Sequence, residues 1–254
     1  MIRFSANLGF LWTDRPLPDA IHAARAAGFH AVECHWPYDI PASEVRQALT
    51  ETDLEMLGLN TRRGDVEKGD NGLSAIPGRK AEARAAIDEA IDYASEIGVR
   101  NIHVMAGFDQ SIAGRHTFID NLEYACNQGA KRSLTMLIEP LNEHDAPGYF
   151  LRTTQQAADI IDDVGEPNLK LMFDCYHVGS TEGDVIARLR KLLPIIGHFQ
   201  FASVPDRGAP DHGEIDYRAV FSEIETLGWT MPLGAEYRPQ GETDASLDWM
   251  STLS

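Results

Sequence analysis

Cysteine is scarce in this sequence. Its 254 residues include three, Cys34, Cys126 and Cys175. They are widely spaced, odd in number and form no CxxC pair, which excludes a zinc finger or disulfide scaffold and points to a reducing compartment, with the cytoplasm as the expected location. The ordinary role of such residues is that of small buried hydrophobes. Long apolar runs are missing as well: nothing approaches the roughly 18 residues of a membrane span. The N-terminal MIRFSANLGF has neither a basic start nor a long apolar run, so no signal peptide is expected. Positive charge is also in short supply. The 22 Lys and Arg against 39 Asp and Glu leave a formal charge of −17, which repels phosphate backbones and anionic lipid and excludes nucleic acid and membranes as expected partners. An acidic substrate would be repelled too, unless the site carries its own cation. Screening over about 8 Å hides distant acids and makes that local charge decisive.

What is present is alternation. Short apolar runs at Arg3–Asn7, Ala31–His35, Met56–Asn60, Asn101–Met105, Thr135–Glu139, Lys170–Asp174, His198–Ala202 and Leu233–Tyr237 read as strands. Helical patterns lie between them. PLPDAIHAARAAG, RKAEARAAIDEAIDYASEIG and DYRAVFSEIETLG each close on glycine, Gly28, Gly98 and Gly228, the usual stop just past a helix end. Strands alternating with helices imply a parallel sheet, and eight strands close a barrel. An open dinucleotide-binding sheet loses its main support, because ANLGFLW follows the first strand with no GxGxxG. No linker or composition shift divides the chain, so residues 1–254 are expected to form one α/β domain, a (β/α)₈ TIM barrel. The long polar connections TRRGDVEKGDNGLSAIPGRK and SVPDRGAPDHGEIDY follow the third and seventh strands, on the face where such barrels build their sites.

Several of these strands end in polar side chains. Glu139 ends the fifth, Asp174 the sixth and Glu236 lies near the end of the eighth, while Gln200 sits within the seventh. Far apart in sequence, the four meet at one mouth if the strands converge. Crowded carboxylates repel one another and take up protons unless something positive compensates them. A divalent ion does so, and oxygen donors without thiolates suit hard Mg²⁺ or Mn²⁺. Any one of these acids could be a salt bridge or a helix cap; all four at strand ends is harder to explain that way, since burying unpaired acids is costly. His103 in the fourth strand and His177, in DCYH, fall at the same end, as does Arg207 on the loop past the seventh strand. Arg207 is the candidate fork for an anion, with Arg62 and Arg63 as further candidates. Trp12 and Trp36, near strand ends, are expected to be exposed, lining their own pocket or covering a neighbour's. The number of subunits stays open, a homo-oligomer included.

The runs LIEPLNEHDAPGYFL, IIDDVGEPNLKLMFDCYH and IGHFQFASVPDRGAPDHGEIDY, with RFSANLGFL, FHAVECHWPYD and GAEYRPQG, resemble the hydroxypyruvate isomerase family of the xylose-isomerase-like barrels over nearly the whole chain. That resemblance implies Glu139 and Glu236 as an acid–base pair, Asp174 as a metal ligand, and His177 and Arg207 as substrate contacts. Related ketose epimerases usually carry histidine in place of Gln200. A glutamine is a weaker ligand, so the metal is expected to bind loosely or to be optional.

The chemistry expected of these residues is proton transfer beside a carbonyl: one glutamate removes a proton, an enediolate forms, and the other glutamate returns a proton at the neighbouring carbon. On hydroxypyruvate this gives tartronate semialdehyde. On a four-carbon oxo acid it interconverts 2-oxo and 3-oxo tetronates. A sugar isomerase or ketose 3-epimerase would use the same pair. A metal-dependent phosphodiester hydrolase needs several strand-end histidines and a basic groove, which nine histidines and the charge of −17 do not supply.

Overall fold

The computed structural model describes residues 2–253, and in it strands and helices alternate from end to end. The strands are β1 (Phe4–Asn7), β2 (Ala31–Glu33), β3 (Glu55–Met56), β4 (Gly58–Asn60), β5 (Asn101–His103), β6 (Thr135–Ile138), β7 (Leu169–Asp174), β8 (Ile196–Phe201) and β9 (Leu233–Ala235). The helices are α1 (Leu17–Ala26), α2 (Ala42–Thr52), α3 (Lys80–Ile97), α4 (Ile112–Ala130), α5 (Thr154–Val164), α6 (Cys175–Thr181), α7 (Val185–Leu192), α8 (Tyr217–Thr226) and α9 (Trp249–Leu253).

All strands pair in parallel, in the order β3-β2-β1-β9-β8-β7-β6-β5-β4. Nine pieces stand where eight strands are expected, because the MLGLN run breaks at Leu57. β3 pairs with β2, and β4 with β5. The ring still closes across the break. Leu57 N donates to Val32 O (2.7 Å), Cys34 N to Gly58 O (3.1 Å) and Asn60 N to His35 O (2.8 Å). Together β3 and β4 therefore fill one barrel position.

Side-chain alternation along a strand sorts residues between interior and helix layer. In β8, His198 and Gln200 point inward to Glu33. Phe199 and Phe201 point outward, against Trp229 (4.8 Å between centroids) and Phe221 (4.9 Å). The C-terminal helix seals this side: Trp249 lies edge-on to Phe4 at 4.9 Å and to Phe201 at 5.4 Å. All these rings are buried except that of Trp229, which is partly buried, each fully buried one contributing about 1.5–3 kcal/mol. Gly98 ends α3 in the left-handed conformation (φ 79°), its N–H returning to Ala94 O, as the sequence signal requires.

Trp12 departs from expectation. It is 1% exposed, with its N–H on Thr243 Oγ1 (2.9 Å), its Nε1 on Asp244 Oδ1 (2.9 Å) and its ring edge-on to Phe29. A partner segment some 230 residues further along the chain covers it, so it belongs to the core. Among the described residues no helix is long and apolar enough to cross a membrane.

Candidate active site

The ends of β6, β7, β8 and β9 deliver Glu139, Asp174, Gln200 and Glu236 to one buried cluster. Glu139 and Glu236 directly follow β6 and β9, Asp174 closes β7, and Gln200 pairs with Asp174 in the sheet. All four are buried. One ligand atom each from Glu139, Asp174, Glu236 and His177 lies within 4.8 Å of the others. The strand-end acids of the sequence therefore do meet at one mouth.

The three acids are held differently: Asp174 through one oxygen, Glu236 through both, and Glu139 through neither. Asp174 Oδ1 caps α6 by accepting from Tyr176 N (2.8 Å), which leaves Oδ2 buried without a partner. Helix cap and site residue are thus the same carboxylate. Glu236 Oε1 accepts from Asn7 Nδ2 (2.8 Å) and Gln200 Nε2 (3.2 Å) and lies 3.1 Å from His35 Nε2. Its Oε2 accepts from Arg207 Nη2 at 2.5 Å. Glu139 Oε1 has no hydrogen-bond partner, and neither does Gln200 Oε1.

Arg207 reaches the cluster from the loop after β8, at a left-handed φ of 55°. Its guanidinium stacks on Phe10 (4.6 Å) and Tyr176 (4.9 Å), and its Nη1 donates to Asp145 Oδ2 (2.9 Å). Nε remains buried and unpaired. Arg207 thus brings a positive charge into the acid cluster.

His177 and His103 are both inside. The backbone N–H of Asn142 donates to His177 Nδ1 (3.0 Å). That nitrogen must therefore supply its lone pair, so in the neutral ring Nε2 carries the proton. His177 thus presents a donor to Glu139 Oε1 (3.9 Å) and Asp174 Oδ2 (3.7 Å), and is suited to donate to a substrate oxygen rather than to ligate a metal. His103 Nδ1 lies 3.5 Å from Glu139 Oε2, with neither ring nitrogen hydrogen-bonded.

The electrostatics separate the two glutamates. Burial pushes Glu139 well above the ordinary carboxylate range, and the charges of Glu236 and Asp174 push the same way. Asp174 rises to about 8, through burial first and Glu236 second. Burial would raise Glu236 too, but Arg207 and the His35 hydrogen bond outweigh it and hold Glu236 at about 2. Burial pulls His103 down to about 3 and His177 well below its usual value, so both rings are neutral.

This donor set fits a divalent cation. Three buried oxygens, Glu139 Oε1, Asp174 Oδ2 and Gln200 Oε1, accept no hydrogen bond, a costly state that a hard cation relieves. The carboxylate ligand atoms of Glu139, Asp174 and Glu236, within 4.8 Å of one another, also match a cation that holds oxygens at about 2.0–2.6 Å.

The other candidates sort differently. Arg62 is paired with Glu89 (2.8 Å) and Asp39 (3.3 Å), away from the acids. Arg63 lies over the ring of half-buried Trp36 at 3.8 Å, and Trp36 packs beside His35. Sequence reading missed Glu33 and Asn7, which close β2 and β1 and bond to the cluster. The signal was available for Glu33, an acid at an apolar strand's end like Glu139. It also missed Asp145 and Asn142, loop residues whose contacts with Arg207 and His177 leave no local pattern.

Comparison with known proteins agrees with this fold. The family described as xylose isomerase-like TIM barrel matches residues 21–253. The chain is 42% identical to the 2-oxo-tetronate isomerase of Cupriavidus necator and 38% identical to the hydroxypyruvate isomerase of Escherichia coli K12, covering 98% of both partners each time. Among solved structures, one titled AP endonuclease, family 2, from Brucella melitensis superposes with a TM-score of 0.96 at 36% identity, over 99% of each chain. The resemblance carried by the sequence motifs is thereby borne out: the chain belongs to the hydroxypyruvate isomerase family of xylose isomerase-like TIM barrels.

Proposed function

We propose that this protein isomerises a small hydroxy-oxo acid, hydroxypyruvate to tartronate semialdehyde in the first instance, with Glu139 and Glu236 moving the proton. The observation that carries the reading is the pair itself: two buried carboxylates in one cluster, Glu236 held low by Arg207 and Glu139 pushed up by burial and its acidic neighbours. Environments that drive two acids apart are what divides acid from base.

In this reading one glutamate takes the proton from the carbon bearing the hydroxyl, and the other delivers a proton to the neighbouring carbon, so the carbonyl moves by one position. Each such group contributes about 10²–10⁴-fold. The Nε2–H of His177 donates to the enediolate oxygens, with His103 as a second contact at the same wall. Arg207, through its unpaired Nε–H, receives the carboxylate of the substrate and offsets the repulsion of an acidic surface. Mg²⁺ or Mn²⁺, held by Glu139, Asp174, Gln200 and Glu236, would supply Lewis-acid stabilisation of the developing negative charge.

The name of the Cupriavidus relative favours a second substrate, a four-carbon 2-oxo acid, turned over by the same pair. Ketose 3-epimerases share only the fold, at 15–18% identity. The endonuclease activity named for the Brucella structure finds no support in this site, where Arg207 stands among Asp145, Asp174 and Glu236 in a chain of charge −17. Incubation with hydroxypyruvate, 2-oxo-tetronates and a panel of ketoses, with and without Mg²⁺ or Mn²⁺, tests the reading by NMR of the products. Isomerised oxo acid is expected; turnover of ketoses alone contradicts it.

A further inference from the structure

Glu33 ends β2 as an acid at a strand end, yet it is not among the residues whose ligand atoms converge. It lies beside them, 3% exposed. Its Oε1 accepts from two primary amides, Asn7 Nδ2 at 3.1 Å and Gln200 Nε2 at 2.9 Å, and its Oε2 is 2.5 Å from His198 Nε2. Both amides also donate to Glu236 Oε1, at 2.8 and 3.2 Å. Two carboxylates are thus bridged twice by the same kind of group.

This matters because a side-chain amide has a donor end and an acceptor end of nearly equal size, and only its partners decide which way it turns. Between two carboxylate oxygens, the nitrogen of Gln200 must face Glu33 and Glu236. Its oxygen then has to point away from them, where it is buried without a donor. The fold also reserves space for the group that enforces this. A Cβ at Gly234 in β9 would stand 2.5 and 2.8 Å from the two carboxylate oxygens of Glu33 and 2.9 Å from Cγ of Gln200. Glycine at 234 is what lets Glu33 lie across β9.

We propose that Glu33 is a positioning residue that turns the Gln200 amide so that its oxygen, and not its nitrogen, faces the divalent cation of the acid cluster. The inference rests on the preceding reading in one respect, that the cluster holds such a cation. It requires Glu33 to act as a hydrogen-bond acceptor, not as a charge. Outer-shell partners of this kind alter metal affinity by about 10–100-fold.

The test is Mn²⁺ binding by titration calorimetry, with far-UV circular dichroism to verify folding. Glu33→Met, which removes the acceptor at similar volume, is expected to weaken Mn²⁺ about 10-fold or more, whereas Glu33→Gln, which keeps an acceptor oxygen, stays within a few-fold of wild type. Adding Gln200→Glu to Glu33→Met should recover most of the loss, because a carboxylate presents an oxygen whichever way it turns. A merely structural role for Glu33 predicts no such recovery. Gly234→Ala, which crowds Glu33 from β9, should weaken Mn²⁺ as well and serves if Glu33→Met fails to fold. Equal affinity in wild type and Glu33→Met, or no recovery in the double variant, overturns the proposal. Wild type that binds no Mn²⁺ overturns it together with the assigned cation. Wild type that binds Mn²⁺ but turns over no oxo acid removes the substrate reading and leaves this one standing.

Discussion

Arg207 Nη2 lies 2.5 Å from Glu236 Oε2, deep in the barrel mouth, with the guanidinium stacked on Phe10 and Tyr176. An acidic chain has placed a buried cation against one member of a carboxylate pair, which holds that carboxyl low while burial pushes the other up. Removing the cation should therefore have a substrate-dependent effect. Arg207→Ala is expected to raise KM for hydroxy-oxo acids by about 10–100-fold, the loss of a charge-assisted hydrogen bond of about 1.5–3 kcal/mol. Neutral ketoses, where they bind, should be affected far less. Steady-state kinetics on both classes checks this, and equal effects would put the carboxylate contact elsewhere.

Glu139→Gln and Glu236→Gln should each lower kcat by at least about 10²-fold while the fold is retained. Circular dichroism and thermal melting test the fold, and kinetics on hydroxypyruvate test the role. Wild-type turnover in either variant refutes the acid–base assignment.

Gly9 packs its backbone on the imidazole of His35, and a Cβ there would stand 2.2 Å from Nδ1 of that ring. Gly9→Ala should therefore push His35 off Glu236 and remove a hydrogen bond that holds this carboxylate low. The expected readout is an acid limb of the pH–rate profile shifted to higher pH, with the melting temperature little changed. An unshifted limb would separate His35 from the tuning of Glu236.

Metal and pH should be coupled in a defined direction. In the ion-free protein Asp174 keeps its proton up to about 8, whereas an unfolded aspartate loses it near 3.9. Between these values the folded state binds more protons, so stability falls as pH rises from about 4 to about 8. Glu139, also raised, acts in the same direction. Glu236, held at about 2, acts oppositely: its contribution is present above about 4 and is lost only on acidification toward 2. Cation binding displaces protons from Asp174 and Glu139, so stabilisation by Mn²⁺ over an EDTA control should be larger at pH 8 than at pH 5. Melting curves at the two pH values measure it, and a larger gain at pH 5 contradicts the assignment.

Much of this site was legible because its signals are local. An acid closing an apolar run marks Glu139, Asp174 and Glu236, and barrel convergence does the rest. Gly28, Gly98 and Gly228 were readable for the same reason, since each sits just past a helix with positive φ. What escaped depends on contacts between distant segments. Glu33 meets His198 and Gln200 from across the barrel, and the burial of Trp12 depends on Thr243 and Asp244. Arg62 and Arg63 are indistinguishable as neighbours in a basic run. Only backbone direction sends one to Glu89 and the other onto Trp36. The break at Leu57 is similar, because β3 and β4 differ only in which neighbour they pair with.

The central claim is that two carboxylates relay the proton between adjacent carbons, and solvent isotope tests it most directly. Hydroxypyruvate turned over in D₂O and followed by NMR should give tartronate semialdehyde carrying deuterium at C2 from the first turnovers, since the delivering glutamate holds a proton drawn from solvent. Product that forms at the full rate with no deuterium at that carbon would mean that hydrogen passes directly between the two carbons, and would contradict the account.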